Sequence, residues 1–216
     1  MGLCASRLGR PIAAAGRSSP ASLNINPSDR PCNSNRIDAP SVLTYNSTIR
    51  SLVEDGTLVR WVASGPRRRE LLASEDVAGW FNRLVSDPTA AGRQRNRLDA
   101  WRQVDSLLSA YVAGAPVGLL AAIGMDPPFK LMQPVRRNVW TLRTTDTRIF
   151  GWFVDPGLFV AVNASATDRL KQIPNPAPGS YRDHIARVTQ WRDRHACSAS
   201  ALIWQGDLDD LLRTLR

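Results

Sequence analysis

The sequence predicts an α+β fold for residues 57–195, in the order strand, helical hairpin, antiparallel three-stranded meander, C-terminal helix. Three features carry that expectation. Two neighbouring segments repeat apolar residues at helical spacing. A later segment breaks into three short β-rich runs joined by hairpin-sized turns. A final stretch returns to helical spacing, so strands and helices are segregated along the chain and not strictly alternated.

The opening strand is expected at residues 57–63, where Leu58, Val59, Trp61 and Val62 give a β-branched and apolar texture. Gly65-Pro66 breaks it, and Arg67-Arg68-Arg69 follows, a run that suits either a solvated face or a phosphate backbone. Ser74 is placed to cap a helix, with Glu75 and Asp76 favourable in its first turn. Val77, Trp80, Phe81, Leu84 and Val85 then repeat on one helical face until Asp87-Pro88. A second helix is expected over residues 90–113, with Leu98, Trp101, Val104, Leu108, Tyr111 and Val112 as its stripe and Arg93, Arg95, Arg97 and Arg102 opposite. The short link makes the two an antiparallel hairpin.

Residues 114–134 are punctuated by Pro116, Gly118, Gly124, Pro127, Pro128 and Pro134 and read as a packed connector. Strands are expected at 139–144, 147–154 and 158–163, joined by Thr145-Asp146 and by Asp155-Pro156-Gly157. A final helix begins near Ser180, with Tyr181, Ile185, Val188 and Trp191 inward, and residues 196–216 form a tail whose Leu208, Leu211, Leu212 and Leu215 fit a short helix.

If the first hairpin has a two-residue loop, Thr144 pairs with Thr147 and Arg143 lies directly opposite Arg148. Like charges directly opposed are destabilising unless an anion lies between them. A phosphate held by charge-assisted bonds would serve, and so would local neutralisation by Asp146, Asp155 or Asp168. The same register puts Phe150 and Trp152 on the arginine face, either stacking on bases or filling a core with Val160 and Val162.

Composition narrows the function. Hydrophobic residues make up 43% of the 216, enough for a packed core, and the formal net charge is +9. All but Lys130 and Lys171 of the 28 basic residues are arginine, which suits bidentate phosphate binding and equally reflects a GC-rich coding sequence. Cys4, Cys32 and Cys197 are odd in number and widely spaced, with no CxxC, so neither a metal site nor a disulfide scaffold is expected. No cofactor is implied, no apolar run is long enough to span a membrane, and the cysteine pattern fits the cytoplasm. Nucleotide-loop, GxSxG and HExxH motifs are absent. Residues 1–47, rich in Ser, Ala, Pro, Asn and Arg, read as a disordered extension or as sequence upstream of a later true start; a transit peptide and a myristoylation pattern at Gly2 and Ser6 are the competing readings.

The motifs Val139-Trp-Thr-Leu-Arg143, Asp146-Thr-Arg148-Ile-Phe-Gly-Trp152 and Leu158-Phe-Val-Ala-Val162 resemble the meander of the RelE/HigB toxin superfamily, in particular its phage-derived HigB-like branch. The resemblance implies the toxin of a type II toxin–antitoxin pair, an mRNA endoribonuclease in which the ribose 2′-hydroxyl attacks the neighbouring phosphate. It implies that Arg143 and Arg148 hold that phosphate, that Lys171 and Arg169 follow the last strand as the family's lysine pair does, and that Tyr181 or His184 is the general acid or base. Arg136, Arg137 and Arg169 are the expected RNA-binding residues, and RNA or the ribosome and a cognate antitoxin the expected partners. Where many relatives read like H-G-F-x-K-K, this chain reads Val162-Asn-Ala-Ser-Ala-Thr-Asp168, so Arg169 stands where a second lysine would. The rival readings are a RelE-shaped module without catalysis, holding nucleic acid or protein, and an unrelated basic accessory protein of phage or mobile-element origin.

Overall fold

A computed structural model of the protein describes residues 47–63, 67–87 and 99–215. Its strands are β1 (Leu58–Arg60), β2 (Glu70–Ser74), β3 (Phe129–Leu131), β4 (Trp140–Arg143), β5 (Thr147–Asp155) and β6 (Leu158–Ala166). They form one mixed sheet in the order β1-β2-β6-β5-β4-β3. β4, β5 and β6 pair antiparallel in chain order, whereas β2 runs parallel to β6.

The pleat sends alternate side chains to opposite faces. On one face, Leu71, Ala73, Trp140, Leu142, Ile149, Phe153, Phe159 and Ala161 form a core with α2 (Glu75–Ser86), α3 (Ala100–Val112), α4 (Val117–Ile123) and α7 (Leu208–Thr214). On the other face, Leu58, Leu72, Phe150, Trp152, Val160 and Val162 meet α1 (Ser47–Glu54), α5 (Thr167–Gln172) and α6 (Tyr181–Arg194). The fold is therefore α+β, with a sheet covered by helices on both sides.

Local chemistry accounts for most boundaries. Ser74 is extended, with φ −67° and ψ 162°, and its hydroxyl accepts from the Val77 amide to open α2. Ser180 caps α6 in the same way through the Asp183 amide, and Asp207 caps α7 through that of Asp210. The buried residues of α6 are His184, Ile185, Val188, Trp191 and Arg192, so a charged residue and an ionisable one join its apolar stripe.

The structure departs from the sequence expectation at five places, the first being the last meander strand, which runs on to Ala166 beyond the expected 158–163. The opening strand is shorter than residues 57–63 and lies at the sheet edge, where it pairs with β2. β2 follows the arginine run directly and is central; it has no apolar–polar alternation because both of its faces are covered. The connector over 114–134 contains α4 and the edge strand β3. The tail is part of the packed domain: Leu211 and Leu215 are buried in the first core, and Trp204 packs against Trp140 and Phe153. The expectations for residues 1–46, for the link between α2 and α3, and for Arg93, Arg95 and Arg97 fall outside the described residues.

One bulge positions the site below. Phe150 pairs with Asn163 but Gly151 pairs with Ala161, so Val162 is the extra residue in β6. Val162 and Asn163 thus both turn toward α6: Val162 enters the second core, and Asn163 reaches His184. The strands approach so closely there that a Cβ on Gly151 would lie 1.9 Å from the Val160 carbonyl oxygen. Gly151→Ala is expected to destabilise the protein by about 2–4 kcal/mol, because backbone must move to make room. Urea denaturation of the two proteins checks this, and a loss below about 0.5 kcal/mol would show that the close approach is not a constraint.

Candidate anion-binding cleft

The β4–β5 hairpin turns at Thr145-Asp146. Thr144 and Thr147 close it: the Thr144 amide donates to the Thr147 carbonyl, the Thr147 amide donates to the Thr144 hydroxyl at 3.0 Å, and the two hydroxyls are 2.8 Å apart. Both residues are buried, so the turn is held by five polar atoms shielded from water. This closure sets the register in which Arg143 lies opposite Arg148. The Arg143 amide points away from β5 to the Pro128 carbonyl, so the pair is of the non-hydrogen-bonded kind, in which facing side chains come closest.

The two guanidiniums share one neighbour. Arg143 donates to the Pro127 carbonyl at 3.2 Å and reaches the Met125 sulfur at 4.0 Å. Arg148 donates to the carbonyls of Thr144 and Thr147 and lies 3.2 Å from the same sulfur. Arg148 is only 7% exposed, so it is fixed where it stands. Of the three carboxylates expected near this pair, Asp146 is buried and accepts from Gln103 at 2.6 Å, while Asp155 sits at the far end of β5 and accepts from the Gly157 amide. Asp168 lies in the first turn of α5.

Arg143, Arg148 and Tyr181 line one cleft of about 330 Å³ together with Lys130, Thr141 and Met132. None of the six is acidic. Lys130 on β3, Thr141 and Arg143 on β4 and Arg148 on β5 alternate with residues of the first core, which places them on the opposite face. Tyr181 closes the cleft from the first turn of α6 and meets Phe150 edge-on, with ring centroids 6.0 Å apart. A phosphate seated there would find cationic and neutral donors and no fixed negative charge among the lining residues.

His184 stands behind this wall. Its ring stacks on Phe150 at 4.7 Å with the planes 5° apart, and its Nδ1 is 2.6 Å from the Asn163 side-chain oxygen. Burial, with help from the nearby Arg187 and Arg169 charges, pushes its pKa down to about 4, and Asp183 opposes the shift. The imidazole is therefore neutral at pH 7, it shares the Phe150 ring with Tyr181, and it is not among the residues lining the cleft.

The other expected site residues are dispersed. Lys171 and Arg169 are exposed on α5, and Arg169 lies close enough to depress the His184 pKa. Arg136 is exposed and Arg137 half-buried on a 3-10 turn (Val135–Arg137), where the Arg137 carbonyl accepts from Arg192 at 2.6 Å. None of these four lines the cleft. Stacking of bases on Phe150 and Trp152 is ruled out by packing: both are fully buried, Phe150 under His184 and Trp152 with its indole N–H on the Leu202 carbonyl at 2.9 Å. Lys130 and Thr141 were not expected. Lys130 enters the site only because β3 pairs with β4 and sets Lys130 beside Thr141. Among the described residues no group of three His, Cys, Asp or Glu side chains is arranged to hold a metal ion.

The state of His184 gives a pH dependence. Its folded-state pKa, about 4, lies below the ordinary value of 6.5, so the unfolded chain takes up the proton more readily. This contribution leaves stability intact above the ordinary value and removes it as the pH falls from about 6.5 toward 4. Between about pH 7.5 and pH 4.5 the parent is expected to lose about 1–3 kcal/mol more than His184→Phe does. Urea unfolding of both proteins at the two pH values measures the difference, and equal losses would mean that His184 is not buried in its neutral form.

No known protein family, no curated protein and no solved structure matches this chain, so the cleft itself carries the functional argument.

Proposed function

We propose that the cleft binds a phosphate of RNA and that the protein is an endoribonuclease of the RelE/HigB kind, the toxin of a toxin–antitoxin pair. The observation that carries the reading is the opposed Arg143–Arg148 pair, set in one cleft with Lys130, Thr141 and Tyr181. Opposed guanidiniums repel, and a bound phosphate relieves the repulsion while the rigid hairpin holds them in place. In the reaction, the 2′-oxygen forms a bond to the adjacent phosphorus and the bond from phosphorus to the 5′-oxygen breaks. Arg143, Arg148 and Lys130 stabilise the added charge on the phosphoryl oxygens. Tyr181 gives its proton to the leaving 5′-oxygen, and the 2′-proton passes to water. An antitoxin would neutralise the protein by laying an acidic segment over this cleft.

A second reading has its own observation. No carboxylate or imidazole lines the cleft, and the Arg148 guanidinium is already engaged by two backbone carbonyls. That favours a RelE-shaped module that holds RNA without cutting it. Incubation of the full chain with single-stranded RNA, with mapping of the ends, decides between the two. The endonuclease reading expects cleavage that falls by about 10²–10³-fold in Arg143→Ala. It expects a loss of about 10²–10⁴-fold in Tyr181→Phe, with melting temperatures unchanged in both variants. RNA bound but left intact by the parent would establish the module instead.

A further inference from the structure

The cleft continues past Tyr181. A second concavity of about 520 Å³ shares Lys130, Met132 and Tyr181 with it and runs between β3 and the first two turns of α6. That volume lies in the range that accommodates a ligand of nucleotide size. Its chemistry is divided. Met132 and Ile185 offer an apolar floor, both belonging to the second core. Gln133 and Asn175 present amide groups at the rim, and Arg182 adds an exposed cation beyond the reach of the first cleft. Asn175 also accepts from the Arg182 amide, which ties the loop before α6 to the helix start. No acidic residue lines either concavity.

We infer that this groove seats the nucleotide adjoining the bound phosphate, as an unstacked base of single-stranded RNA. The inference rests on the phosphate reading of the first cleft and adds to it the place of the neighbouring base. The base packs on Met132 and Ile185 beside Tyr181, Gln133 and Asn175 meet its polar edge, and Arg182 holds the next phosphate. A paired stem is excluded by shape, because its bases are stacked inside the helix and cannot enter a groove walled by β3 and α6.

Fluorescence anisotropy of the full chain with a labelled RNA oligomer, single-stranded and as its duplex, over a range of salt tests this. Arg182→Ala is expected to reduce the slope of log affinity against log salt by about 0.7 for the single strand, the value for one phosphate contact. Gln133→Ala is expected to keep that slope and to narrow the spread of affinities among homopolymers. Arg102→Ala removes an equal charge from α3, on the opposite side of the sheet, and is expected to leave the slope unchanged. If Arg182→Ala behaves as Arg102→Ala does while Arg143→Ala still weakens binding, the groove is overturned and the cleft stands. If Arg143→Ala also behaves like Arg102→Ala, the cleft fails and the groove with it. A duplex bound as tightly as the single strand overturns the single-strand assignment.

Discussion

The hydroxyls of Thr144 and Thr147, buried and 2.8 Å apart, fix the end of the β4–β5 hairpin, and both faces of the sheet depend on that closure. In a strand a slip of one residue exchanges the two faces. Here a slip of β4 would carry Trp140 and Leu142 out of the first core and turn Arg143 toward α3 and α4. With the register set, Arg143 and Arg148 face each other on the α6 side. Burial of the Arg148 guanidinium against the Thr144 and Thr147 carbonyls makes the arginine part of the lock as well as part of the cleft. The hairpin therefore joins stability to charge placement, and both guanidiniums are held by backbone carbonyls, Arg143 by that of Pro127 and Arg148 by those of Thr144 and Thr147.

The second constraint comes from β6. Its bulge at Val162 turns Asn163 toward α6, where it meets the His184 ring and also donates to the His184 carbonyl. Stacked on Phe150, that ring ties the first turn of α6 to β5, and Tyr181, from the same turn, meets Phe150 edge-on and lines the cleft. A neutral imidazole suits such a role: it packs flat against an aromatic ring, satisfies one amide and brings no charge into the core. The chain thus uses its most chemically versatile side chain as structure, and leaves the cleft to arginine, lysine and tyrosine.

What was legible in the sequence divides along physical lines. Features encoded by neighbours could be read. The Ser74 cap and the stripe of Val77, Phe81 and Leu84 marked α2, and the Thr145-Asp146 turn set Arg143 against Arg148. Features created by distant pairing could not. β2 is a strand because it lies between β1 and β6, and its Leu71-Leu72-Ala73 core has no alternation to reveal it. β3 is three residues long, lies among prolines and exists through its pairing with β4, so Lys130 gave no local sign of its role. The burial of Phe150, Trp152 and His184 depends on α6 and on Leu202, which cover that face from later in the chain. Arg136, Arg137, Arg169 and Lys171 stand out in the sequence by their charge, yet charge alone does not bring residues to one place.

The most direct test of the central claim is thermal unfolding in rising inorganic phosphate at constant ionic strength. An anion that binds the folded state alone raises its stability, by about 2.7 kcal/mol at a hundred times the dissociation constant. The account predicts a melting temperature that climbs with phosphate in the parent and stays flat in Arg143→Ala. A parent that does not respond, or a variant that responds equally, would contradict the assignment of the opposed arginines as a phosphate site.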